Sequence, residues 1–147
     1  MKLTSSSFQN NQSLPESCAY RGKNLSPKLT IENVPGETKS LALVVDDPDA
    51  PVGNWNHWLV WNIAPSTTHI DEGKIPAAAT IGRNDFGNNQ FDGPAPPSGT
   101  HRYFFKLFAL NKTLDLQTGA SREQLLAAMK DAVIAEAELI GTFAAKR

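Results

Sequence analysis

Between residues 46 and 61 the chain reads D-D-P-D-A-P-V-G-N-W-N-H-W-L-V-W. This stretch constrains the fold more than any other: an apolar run halts at a knot of carboxylates and prolines, then resumes with a histidine among tryptophans. Proline lacks the amide donor of a sheet ladder and fixes φ, so Pro48 and Pro51 must end the strand Leu41 to Val45. Asp47 and Asp49 are then held in a rigid acidic loop at a strand end, where binding residues tend to gather. A loop this tight, presenting two carboxylates to one cavity, predicts a cis bond at Ala50-Pro51 or at a neighbouring proline.

The rest of the chain supplies further strands. Residues 1–27 are polar and broken by Pro15, Gly22 and Pro27, so they read as loop with one short strand. Lys28 to Asn33 alternates Leu29 and Ile31 with polar neighbours, a half-buried strand that Val34-Pro35-Gly36 turns back. Leu41 to Val45 is continuously apolar and reads as central. His57 to Ile63 is nearly so, and a period of two puts His57, Leu59, Trp61 and Ile63 on one face. Residues 64–100, rich in Pro and Gly, deny long regular structure, and so long an irregular segment in a compact domain is usually functional. Arg102 to Leu110 is the strongest strand signal, with His101 just before it, the ring expected at the rim of a pocket rather than in the sheet. Ser121 and Gln124 stand at capping-box spacing, so a helix starts there. Leu126, Met129, Val133, Ala137 and Ile140 fall on one face of that helix, read as core packing, with Gly141 as its C-terminal cap.

At 147 residues, 40 % hydrophobic and 20 % charged, the chain suits a single domain over residues 1–147. A formal net charge of -1 gives no global field toward nucleic acid or an anionic membrane. Cys18 is the only cysteine, which excludes an intrachain disulfide and a multi-thiolate zinc site. Residues 1–12 lack the apolar core of a leader, and no segment approaches the roughly 18 consecutive apolar residues of a span. The expectation is therefore a cytoplasmic protein with no stable membrane insertion. The sequons at Asn11, Asn24 and Asn111 are then chance matches.

Four titratable residues lie at strand ends or turns: Asp47, Asp49, His57 and His101. Two carboxylates and two imidazoles could ligate a divalent ion, but metal-site spacing such as H-E-x-x-H is missing. An acid/base pair of Asp47 with His57 is chemically sound, yet no nucleophile elbow, phosphate-binding P-loop or dinucleotide motif accompanies it. The residues alone leave a divalent-metal site and a hydrolase or other Asp/His enzyme as the functional readings, set against turn-forming aspartates and structural histidines.

Five motifs in order carry a resemblance: D-P-D-A-P at 47–51, H-W at 57–58, G-R-N-D-F-G at 82–87, G-P-A-P-P at 93–97 and H-R-Y at 101–103. With Leu3-Thr4-Ser5 and Gly141-Thr142-Phe143 at either end, they closely resemble the phosphatidylethanolamine-binding proteins, also called Raf-kinase-inhibitor-like proteins. The resemblance implies a mostly β fold, a large antiparallel sheet packed against a smaller one, with peripheral and C-terminal helices. It implies a small anion pocket lined by Asp47, Asp49, Pro51, His57, Gly93, Pro94, His101 and Tyr103, with residues 93–97 as one wall. It further implies a phosphoryl ligand, anionic or zwitterionic, no cofactor or metal, regulation of a protein partner such as a kinase or protease, and a homodimer. A phosphoethanolamine head group would suit such a pocket, a carboxylate meeting the ammonium while histidine, tyrosine and loop N–H groups hold the phosphate. An Asp–His contact would raise the imidazole pKa. Animal relatives carry paired histidines where this chain has Asn56-His57, and G-R-N-D-F-G resembles the prokaryotic branch.

Overall fold

A computed structural model describes residues 1–146. Nine strands form: β1 (Lys2–Thr4), β2 (Gln12–Ser13), β3 (Leu29–Glu32), β4 (Ser40–Asp47), β5 (Trp55–Ile63), β6 (His69–Ile70), β7 (Thr80–Ile81), β8 (Thr100–Leu110) and β9 (Val133–Ala144). A 3-10 turn at Glu16–Cys18 and one helix, α1 (Arg122–Met129), complete the regular structure among the described residues. The large sheet has the order β2-β9-β8-β4-β5-β7 and the small one β1-β3-β6, antiparallel throughout except where β2 meets β9. The expected fold class, mostly β with two unequal sheets, is the one observed. No helix among the described residues is long and apolar enough to cross a membrane.

β4 shows why the large sheet sits where it does. Leu41, Leu43 and Val45 face the small sheet and join Leu3, Leu29, Ile31 and Ile70 in one core. Ala42 and Val44 face the other way and pack with Leu59, Trp61, Leu125 and Met129 beneath α1. A strand covered on both faces must be apolar at every position, hence the unbroken run. Each such side chain contributes about 1.5–3 kcal/mol when fully buried.

Two bulges overturn the single-face reading of β5. Val45 faces Trp58 but Asp46 faces Asn56, and Leu41 to Leu43 on β4 spans Ile63 to Val60 on β5. Each extra residue reverses the alternation. Leu59 and Trp61 therefore share the helix side, while Trp58, Val60 and Ile63 face the small sheet. Asn62, at φ 54, accommodates the second bulge. The first turns the His57 ring against Tyr103.

The C-terminal helix is also corrected. The capping box is present, Ser121 Oγ accepting from the Gln124 amide and the Gln124 side chain from the Ser121 amide. α1 nevertheless stops at Met129, its core residues are Leu125 and Met129, and Leu126 is exposed. The chain reverses through Asp131 at φ 64 and runs back as β9, paired with β8 from Leu110 to Thr100. Gly141 is therefore no cap. It lies inside β9, where a Cβ would come within 2.5 Å of Leu14 Cδ2.

Smaller expectations shift as well. β4 extends through Asp47, so that residue closes the strand and Asp49 alone sits in the loop. No cis peptide bond occurs among the described residues. The loop is closed instead by the Asp49 amide donating to Asp47 Oδ1 at 2.8 Å and by Gly53 at φ 106. His101 is the second residue of β8 rather than preceding it, its backbone paired with Phe143, and its side chain is buried against Asp47 rather than exposed at a rim. Residues 1–27 hold two short strands and the 3-10 turn, and 64–100 hold β6 and β7.

Candidate functional site

The ends of β4, β5 and β8 converge on a cavity of about 270 Å³. β4 ends in Asp47, β5 contributes His57 and β8 contributes His101 and Tyr103, while Pro51, Trp55, Phe86, Pro96 and Pro97 close the sides. His101 Nδ1 lies 2.6 Å from Asp47 Oδ2 with both side chains buried. A carboxylate can only accept here, so Nδ1 carries the proton. Burial, then the neighbouring Asp47 charge, pushes the Tyr103 phenol well above its usual range, so it stays a neutral hydroxyl.

His57 sits deeper. Its Nδ1 is 2.6 Å from the Asp92 carbonyl, which has no proton to give, so Nδ1–H donates and the tautomer is fixed. Burial lowers its pKa and outweighs the raising effects of the Asp92 carbonyl and of the Asp47, Asp92 and Asp85 carboxylates. His57 is therefore neutral at neutral pH, and the expected Asp–His contact is made by His101 instead. Its Nε2 makes no hydrogen bond to the described protein and opens on the cavity. Edge contacts from Phe86 at 5.4 Å and Tyr103 at 5.2 Å hold the ring.

Behind His57 lies a hub that the residue reading missed. Asp92 is buried and accepts from four side-chain amides, those of Asn24, Asn84, Asn88 and Gln90, at 2.8–2.9 Å. Burial would raise its pKa, but hydrogen bonds from Asn88, Asn24, Asn84 and Gln90 together hold it below the usual range. Asn84 also accepts from the Phe86 and Asn88 amides, and Asp85 accepts the Asn56 amide at 2.6 Å. The G-R-N-D-F-G segment is thus tied to β5 and to Asp92, and through Asn24, which also accepts the Gly93 amide, to the start of G-P-A-P-P. The available signal was a run of Asn and Gln ahead of Asp92-Gly93.

Of the expected site residues, Asp47, Pro51, His57, His101 and Tyr103 line the cavity. Asp49 does not. Its carboxylate is turned away onto Arg102, taking the backbone amide, Nε and Nη2 at 2.8–2.9 Å, and this pairing lowers its pKa to about 2. Gly93 and Pro94 are set back from the cavity as well, while Ala95, Pro96 and Pro97 form its wall. Gly93 is needed for close approach, since a Cβ there would fall 1.6 Å from the Cys18 carbonyl oxygen. Trp55 and Phe86, and Tyr20 stacked on Phe86 at 4.7 Å, form an aromatic rim that the residues alone did not indicate. Among the described residues no group of three or more His, Cys, Asp or Glu side chains is arranged to hold a metal ion.

This architecture defines a class: a mostly β protein with a small polar-floored cavity where the strands of its large sheet end. The chain belongs to the phosphatidylethanolamine-binding protein family, whose model matches residues 4–144. It is 46% identical over 148 residues to a UPF0098 protein of Methanothermobacter thermautotrophicus, covering 97% of this chain and 98% of that one. Among solved structures it is similar to CT736 of Chlamydia trachomatis, described as a homolog of such proteins, with a TM-score of 0.94 and 39% identity, covering 99% of this chain and 97% of the other. It is also similar to YbcL of E. coli, described as a new member of the mammalian family, with a TM-score of 0.92 and 34% identity over 99% and 98% of the two chains.

Proposed function

We propose that the chain is a non-enzymatic binding protein whose cavity takes a small ligand through a phosphoryl group. The observation that carries this is the convergence of Asp47, His57, His101 and Tyr103 from three adjacent strands on one cavity of about 270 Å³. That volume lies just below the usual range of small-molecule pockets, which begins at about 300 Å³, and suits a head group rather than a nucleotide. The Tyr103 hydroxyl supplies a donor for phosphoryl oxygens, the His101 ring supplies a second at Nε2 in its doubly protonated form, and Asp47 supplies an acceptor for a ligand ammonium, as in phosphoethanolamine. The cavity lining contains no Ser, Thr, Cys or Lys to act as a nucleophile. Burial pushes the Cys18 thiol up to about 12, which leaves it unreactive at neutral pH.

Calorimetric titration with phosphoethanolamine tests this, using wild type, His101→Ala and a control at His69, which is exposed. Loss of a charged hydrogen bond is worth about 1.5–3 kcal/mol, so His101→Ala should weaken binding roughly tenfold or more while the control leaves it unchanged. Equal affinity in all three proteins would overturn the reading.

A further inference from the structure

The cavity floor is unusual for an anion site because two of its groups accept hydrogen bonds. Asp47 is a carboxylate. His57, its Nδ1–H committed to the Asp92 carbonyl at 2.6 Å, presents a lone pair at Nε2. An anion without a hydrogen of its own would set its oxygens against that lone pair. Leaving a buried acceptor unpaired costs about 1–3 kcal/mol, or roughly 5- to 150-fold in affinity.

We propose that His57 makes the site selective for a phosphoryl group that carries a proton, its P–OH donating to Nε2, and against sulfate and fully deprotonated phosphate monoesters. His57 is then a specificity-determining residue, and Asp92 is the positioning residue that fixes its tautomer. The inference rests on the phosphoryl-binding reading and names the ionic form that the site accepts.

The groups facing His57 favour this form. Asp47 from β4 and Asp85 and Asp92 from the adjoining loops surround the ring with negative charge, and from β8 come Tyr103, held neutral, and His101, directed at Asp47. A dianion entering this field meets repulsion that a monoanion meets less. Burial lowers the His57 pKa from its ordinary value, which favours the neutral ring whose Nε2 keeps its lone pair. The second pKa of a phosphate monoester is about 6, so the protonated form of the ligand is populated toward the lower end of the neutral range.

The test is calorimetry with methyl phosphate and with sulfate from pH 5.5 to 8, alongside nitrogen NMR of the imidazoles in the unaltered protein. Methyl phosphate affinity should fall by about tenfold per pH unit above pH 6, in step with loss of its proton. Sulfate should bind at least about fivefold more weakly than methyl phosphate at pH 5.5. The His57 spectrum should show Nδ1 protonated and Nε2 bare at pH 7. His57→Gln, whose amide can turn to donate, should bring the two anions within about threefold of each other. Equal affinity for both anions in the unaltered protein, pH-independent methyl phosphate binding, or a protonated Nε2 would each overturn the selectivity while leaving phosphoryl binding intact. Binding of neither anion would overturn both.

Discussion

Asp46 and Asp47 are adjacent on one strand and have opposite surroundings. Alternation along β4 sends Asp46 to the helix side with Val44 and Asp47 to the small-sheet side with Val45. Asp46 is fully buried, and Asn54 Nδ2, Lys106 Nζ and Arg122 Nη2 approach its Oδ2 at 3.1, 3.2 and 3.5 Å. Among the described residues Asp47 pairs with no lysine or arginine. Its two oxygens take one imidazole and one backbone amide, and it borders the cavity. The difference teaches that charge type alone does not mark a site. A carboxylate ringed by cations is part of the architecture, whereas one with sparse, directional partners beside a cavity retains capacity for a ligand.

The largest effect expected from this contrast is structural. Asp46→Ala removes the shared partner of Lys106 and Arg122, each about a third exposed, so part of the penalty is relieved by water. Urea unfolding should show a loss of about 2–4 kcal/mol, with phosphoryl affinity little changed. A variant of unaltered stability would erase the distinction between the two aspartates.

Next comes the pH dependence from His57. Its folded pKa lies below the unfolded value of about 6.5, so below that pH the unfolded chain binds a proton that the folded chain does not. The stability it contributes is complete above about pH 6.5 and falls by up to about 1.4 kcal/mol per unit as the pH drops toward the folded pKa. Urea midpoints from pH 7 to 5 should reveal this slope, and His57→Gln should flatten it. An equal slope in the variant would assign the effect elsewhere.

Asp47→Asn keeps the shape but weakens the bond to His101 Nδ1, so stability should fall by only about 1 kcal/mol. Binding of phosphoethanolamine should fall by a larger factor than stability, the reverse of Asp46→Ala. The smallest effect belongs to Asp49, whose carboxylate titrates near pH 2 because Arg102 holds it. The small stability gain from this pairing is present above about pH 4 and lost as the pH falls toward 2. Carbon NMR titration of Arg102→Ala should return its pKa toward about 4, with phosphoryl affinity unmoved. A binding loss there would bring Asp49 back into the site.

Much of this was legible in the chain, unevenly. β4 declared itself because a strand buried on both faces is apolar at nearly every step, and β8 because its residues are rich in aromatic strand formers. The start of α1 was readable from Ser121 and Gln124 because a capping box is local chemistry. β9 was not, because its Ala- and Glu-rich sequence satisfies a helical stripe as well as a period of two, and only pairing with β8 decides between them. Bulges in β5 leave no mark in a pattern that is apolar throughout. The cavity residues were nominated by motif order and resemblance. Proximity in sequence misplaced Asp49, because nothing local says that its partner is Arg102, 53 residues away. Asp92 was missed for the same reason, since three of its donors are local but Asn24 lies 68 residues off.

The most direct test sets the two faces of the large sheet against each other. Lys106 and Arg122 are the obvious cations to attract an anion, yet they lie on the helix side with Asp46, away from the cavity. Inorganic phosphate titrated at pH 6 should move the side-chain NMR signals of His57, His101 and Tyr103 along one saturating curve, leaving Lys106 and Arg122 still. Saturating shifts at Lys106 and Arg122 with the two histidines unmoved would contradict the account.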